Sequence, residues 1–517
     1  MSSSLPPGRG VLWAPLIAAA LLGGCAVQPS PPASRQEASG DAPPLSQIPP
    51  PDNGAVVPPG ASPSCDRSLS VKGDGRGLVI QDPAVLSRFT LERVLAQLIS
   101  LSGDGPRTPL DILQRLFDTE NTSAGGAFSD IPHCDSQGNL AFANGAPIDC
   151  PRAEGALARS AGLLTPGHPD YFAPIALVNR LDLASDNLES CGEYRLVFAK
   201  WSGRSDPANR LFLIFEGSLA TKGRDLMSCL PAARLWAGLE QQKDPAVIAA
   251  RLESFYFTGY GGLPPLVHPS HFGLFSTEAG SYGGSQRGQV RVSQRMQAPW
   301  EMREFHLKTT GASRALTFNP VTVKNNPLPA LFDPGSSSPQ APRFQADLAD
   351  QVAGLSSGNA TGIRMALLNM WSAGQSALAG PAQTDYLSRA RSGGASSPLF
   401  LAIAQQLTLT NANAKCPTAD PLTPESIVAR ATTQTCAGCH APEQFLGPER
   451  KLGCGVVWPT SLGGAHIDEM GKLSPALTDV LLPMRAAVMT TFVQACDMRS
   501  ILMNLQPTPK GGIPLPK

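Results

Sequence analysis

The chain has 517 residues, with 41 basic and 41 acidic side chains and a hydrophobic fraction of 42%. That length exceeds one compact core and predicts two or three domains, while zero net charge provides no basic field for nucleic acid and argues against such a partner. Fifty Gly and fifty Pro exclude a long helical rod, and eleven Cys point to an oxidising compartment.

At the N-terminus, Arg9 precedes an apolar run from Val11 to Leu22. The run is about 12 residues, right for a signal segment and too short to cross a bilayer. It ends in Leu22-Gly23-Gly24-Cys25, which resembles the bacterial lipobox. The resemblance implies cleavage after residue 24, acylation of Cys25 (diacylglycerol, palmitate) and a lipid anchor in the membrane. Ala26 rather than Asp after the cysteine favours the outer membrane. A plain secretory signal with an incidental cysteine is the alternative. Residues 25–64 hold 11 Pro and no Phe, Trp or Tyr. Polyproline II at about 3.1 Å per residue would make this tether on the order of 100 Å long. No later stretch reaches 18 uncharged apolar residues.

Residues 65–405 predict a mixed α+β body. Phe89, Val94, Leu95, Leu98 and Ile99 follow helical spacing. Thr108-Pro109 opens a second helix with Ile112, Leu113, Leu116 and Phe117 inward. Tyr194–Ala199, Leu211–Phe215, Gln289–Ser293, Leu307 and Ala315–Val323 read as strands, the second buried on both faces. Helical patterns return near Ala232–Leu252 and Phe344–Leu355. His268 and His271, near Tyr256 and Tyr260, with Glu304 and His306, form a weak metal candidate, and hydrogen-bonded histidines are the simpler account. Asn179–Asp182 and Glu193–Arg195 read as a structural ion-pair network. Gly283, Gly284 and Gly288 follow no strand, which excludes a phosphate loop.

The tail, residues 406–517, carries Cys436-Ala437-Gly438-Cys439-His440. With 11 Cys and 7 His in the chain, chance supplies about 0.003 such patterns. On a helix the two thiols share a face and the imidazole follows beside them, so both sulfurs can add to haem vinyl groups while His440 ligates iron. Thr423-Pro424-Glu425 reads as a helix start, and Met484–Arg499 as a terminal helix. Residues 416–500 therefore resemble a single-haem c-type cytochrome domain. The resemblance implies a small all-α fold and covalent haem c. It also suggests that the Pro448 carbonyl, in Leu446-Gly447-Pro448, accepts from the His440 ring. His466 is preferred to Met484 as distal ligand, Met470 and Met489 are poorer candidates, and an open iron stays possible in principle.

Two other uses of the cysteine pair remain: a thioredoxin-like site, which lacks its β-strand context, and zinc, with Cys454 and His466 completing the set. Setting aside Cys25, Cys436 and Cys439 leaves eight cysteines, with Cys134–Cys150, Cys191–Cys229 and Cys454–Cys496 the pairings suggested by nearness in sequence. The expected molecule is a signal peptide (1–24), a tether (25–64), an α+β body (65–405) and a cytochrome c-like domain (406–517). Its expected role is electron transfer to a redox partner protein in the cell envelope. A haem-dependent peroxidase or oxidase, or a structural envelope lipoprotein with a minor redox module, is the alternative.

Overall fold

The computed structural model describes residues 65–103, 107–136, 148–184, 189–274, 288–296, 299–310, 315–380 and 383–496. Cys25, the tether, and Gly283 and Gly284 lie outside them. Local signals open the helices. Helix α1 (Leu91–Ser102) begins at Thr90, whose hydroxyl accepts from the Arg93 amide, and stops at Gly103, where φ is 73°. Helix α2 (Pro109–Asp118) begins at Thr108, with Pro109 in the first position. Helices α3 (Leu230–Gly238), α4 (Pro245–Glu253), α5 (Ala341–Asp350), α6 (Pro398–Leu409), α7 (Pro424–Thr433), α8 (Cys436–His440) and α9 (Leu482–Ala495) follow along the chain.

The centre is an antiparallel sheet. Its strands β1 (Val79–Ile80), β2 (Phe172–Arg180), β3 (Ser190–Lys200), β4 (Leu211–Ala220), β5 (Gln289–Gln294), β6 (Glu301–Thr310) and β7 (Ala315–Val321) lie in sequential order, and β8 (Ser376–Ala377) pairs with β6. The expected strands at 194–199, 211–215 and 289–293 fall within β3, β4 and β5. Side chains alternate across the pleat. Tyr194, Leu196, Phe198, Leu213, Phe215, Val290, Val292, Phe305 and Leu307 point into the main core with helices α1 to α4 and α9. The opposite face carries Arg180, Arg195, Glu216 and Arg291 and is covered by the chain beyond residue 360, leaving a cavity between them.

The expected α+β body with a separate, small all-α cytochrome c-like domain is overturned. Helix α7 packs Ile427, Val428 and Ala431 against Leu331, Phe344, Leu348 and Trp371 of the preceding chain. Helix α9 puts Leu482, Val488, Met489, Phe492 and Val493 into the core beneath the sheet. The tail helices thus divide between two cores that both contain earlier residues. Their apolar positions have the spacing of a small helical domain, but spacing does not say what a face packs against. Among the described residues, Ala476–Ala495 alone is long and apolar enough to cross a membrane, and its burial against the sheet core accounts for that composition.

Four disulfides join Cys65–Cys496, Cys134–Cys150, Cys191–Cys229 and Cys416–Cys454. The second and third match the suggested pairings. Cys454 and Cys496 do not pair with each other, because packing brings a cysteine distant in sequence, Cys65, to the end of α9.

Candidate functional site

Helix α8 is a single turn fixed at several points. Thr435 caps it, accepting from the Gly438 amide at 3.2 Å, and the Ala437 amide donates to Ser376 Oγ of β8 at 3.0 Å. A Cβ on Gly438 would collide with the Thr432 carbonyl oxygen, so glycine lets α8 fold back on α7. Cys436 and Cys439 are the only free thiols among the described cysteines, and both line the cavity with His440. Its volume is about 840 Å³, within the range of about 300–1,000 Å³ usual for cofactor sites.

The His440 ring is held on both sides. Nδ1 donates to the Gly464 carbonyl at 2.9 Å, and the ring stacks on Trp300 with centroids 5.3 Å apart. The carbonyl fixes the tautomer and leaves Nε2 with a free lone pair. Burial pulls the His440 pKa down to about 4, against the pull of that carbonyl, so the ring is neutral at physiological pH. Gly464 can approach because it has no side chain: φ is 93°, and a Cβ would lie 2.6 Å from Trp300 Cδ1. Two residues on, His466 brings a second imidazole with its centroid 4.4 Å from that of His440. Its Nδ1 is 3.0 Å from Ser474 Oγ and its Nε2 3.3 Å from Cys439 Sγ. Burial, then the neighbouring His440, hold its pKa well below the ordinary value.

Other predicted residues are placed less uniformly. Met484 lines the cavity. Met470 is exposed, and Met489 is a core residue whose sulfur accepts from Asn179. Pro448 does not take the expected role: it is exposed, and its carbonyl accepts from Arg450 at 2.6 Å. Gly464 supplies the carbonyl instead, since the loop before His466 reaches His440. His268 bonds Ser270 Oγ at 2.7 Å, His271 bonds the Leu266 carbonyl at 3.0 Å, and Glu304 pairs with Arg291 at 3.0 Å, so these residues act structurally.

The two competing uses of the thiols lose support. Cys454 is bonded to Cys416, which removes one zinc ligand. Burial pushes Cys436 up to about 11 and Cys439 up to about 12, whereas disulfide-exchange thiols have lowered pKa values.

The residues missed in the sequence face α8 from elsewhere, Trp300, Ser376, Gly464, Arg291 and Arg485, or line the same cavity, as Arg364 does. Arg180–Asp182 and Glu193–Arg195 do form ion pairs, at 2.9 and 2.8 Å, but they also build the sheet wall of the cavity. Elsewhere Glu120, Glu154 and Glu301 bring carboxylate oxygens within 4.8 Å of one another. Arg152 lies 3.2 Å from Glu154 and 3.1 Å from Glu301, and Arg303 lies 3.4 Å from Glu120. Burial raises Glu154 to about 7 despite Arg152.

Comparison of the chain with family profiles, curated proteins and solved structures returned no match.

Proposed function

We propose that the chain is an exported, lipid-anchored envelope protein that carries one covalent haem c and passes electrons to a redox partner protein. One observation carries this reading: Cys436, Cys439 and His440 face a single cavity, while every other described cysteine is in a disulfide. The donor set suits haem c. Two thiols lie one helical turn apart, an imidazole keeps Nε2 free, and cationic side chains on the opposite wall complement the two haem carboxylates. When bound, the haem supplies a one-electron ferric/ferrous couple.

The chain's own residues set the surroundings of that couple. The Gly464 carbonyl holds the proton on His440 Nδ1 and aims Nε2 into the cavity. Trp300 shields the ring, and the sheet and α9 exclude water. His466, whose Nε2 lies 3.3 Å from Cys439 Sγ, would be the side chain that supplies a second ligand to the iron. Met484 is the alternative ligand on the same cavity wall. The four disulfides, and the lipobox-like segment ending at Cys25, support an oxidising location and a membrane anchor.

The test is expression of the full chain with a haem-attachment system. The reading expects a reduced-minus-oxidised α-band that survives acid–acetone extraction and an intact mass raised by one haem. A mature protein with neither rules it out. Near-infrared magnetic circular dichroism of the ferric form separates His466 from Met484.

A further inference from the structure

The charges on the cavity wall do not balance. Arg180, Arg195, Arg291, Lys324, Arg364 and Arg485 face only Asp182, Glu193 and Glu216 among the lining residues. Across β3 to β6 the cations are matched. Arg195 lies 2.8 Å from Glu193 and 3.0 Å from Glu216, and Arg291 lies 3.4 Å from Glu216 and 3.0 Å from Glu304. The surplus gathers around Asp182. Arg180, at the end of β2, already engages both Asp182 oxygens at 2.9 Å. Arg485, in the first turn of α9, comes no nearer than 3.8 Å to Asp182; it is 5% exposed, and its Nε has no hydrogen-bond partner. Arg364, in the stretch after Gly362, donates to the Ile363 carbonyl at 2.8 Å.

Arg364 also interacts electrostatically with Asp182, so three guanidiniums from separate parts of the chain share one carboxylate. An uncompensated buried charge costs several kcal/mol, and a planar guanidinium matches a carboxylate with two parallel hydrogen bonds. We propose that Arg180, Arg364 and Arg485 form a seat for a pair of carboxylates, those of the haem, in the cavity lined by Cys439. This rests on the haem reading above.

The test uses the full chain made with haem attachment, carrying Arg364→Gln, Arg485→Gln or both, with Arg→Lys variants at the same positions. Asp182 keeps Arg180 in every variant, so no carboxylate is left alone. Haem content is read first, by mass and α-band, and the midpoint potential second. Removing a cation near the iron favours the ferric form, so each Gln variant should lower the potential. In the double variant the ferric-to-ferrous ratio at fixed poise should rise about tenfold, equivalent to about 59 mV for one electron, and the Lys variants should recover most of it. A double variant with haem and an unchanged potential overturns the proposal and leaves the haem reading intact. If the wild-type chain acquires no haem, that reading fails first, and calorimetric titration with succinate decides the rest. Succinate binding lost in the double variant keeps the carboxylate seat but overturns haem as its occupant, and no binding by the wild type overturns the seat too.

Discussion

His440 keeps one ring nitrogen for the cavity because Gly464 takes the other, and Gly464 can do so only without a side chain. Gly464→Ala would place a Cβ against Trp300 at a positive φ. It should cost about 1–2 kcal/mol from backbone conformation alone and displace the carbonyl from His440, seen as a lower denaturation midpoint and, in protein carrying the proposed haem, a shifted Soret band. Glu154 tests the buried carboxylates. Its pKa rises in the fold from the ordinary 4.5 to about 7, mainly through burial. The folded protein therefore binds the proton more tightly than the unfolded chain. The stability this gives is complete below about 4.5 and is lost as pH climbs through about 7. Glu154→Gln should flatten that decline, raising the melting temperature at pH 8 relative to wild type and changing it little at pH 4; a parallel shift at both pH values would count against the assignment. Cys436, Cys439 and His440 were legible because their relation is local, one turn of helix. Gly464 and Trp300 were not, since they reach His440 from another loop and from beside β6, and no spacing along the chain records that.

Among elements, α8 depends most on its neighbours. It is one turn long, far below the length at which a helix is stable by itself, and it survives through the Thr435 cap, Ser376 and the close approach to α7. Gly438 makes room for the Thr432 carbonyl. Gly438→Ala should cost roughly 1–3 kcal/mol by overpacking, measured by chemical denaturation, and under the proposed function it should reduce the haem-attached fraction, measured by intact mass. The strands β3, β4 and β5 were legible from their apolar runs and alternation. Strand β2 was not, because Pro174 and the register shift after it break the alternation, and its charged end, Arg180, was legible only as part of an ion-pair network. Capping residues gave the starts of α2 and α7 directly, since Thr108 and Thr423 each accept from the amide three residues on.

For the whole molecule, the tail does not own a core. Leu331, Phe344 and Trp371 complete the packing of α7, and the helices under the sheet complete that of α9. A fragment spanning 406–517 should therefore show no cooperative thermal transition and poor dispersion of amide proton shifts, where an autonomous cytochrome domain would show a cooperative transition and wide dispersion. This is also why the sequence misled at this scale: helix periodicity gives the width of an apolar face and is silent about its partner.

The bond between Cys65 and Cys496 ties the stretch before β1 to the end of α9. A chain that lacks position 496 leaves Cys65 without its partner, so maleimide labelling of Cys65 would distinguish molecules that have reached Cys496 from those that have not. That single crosslink is a covalent record that the end of the helix beneath the sheet has met the stretch leading into it.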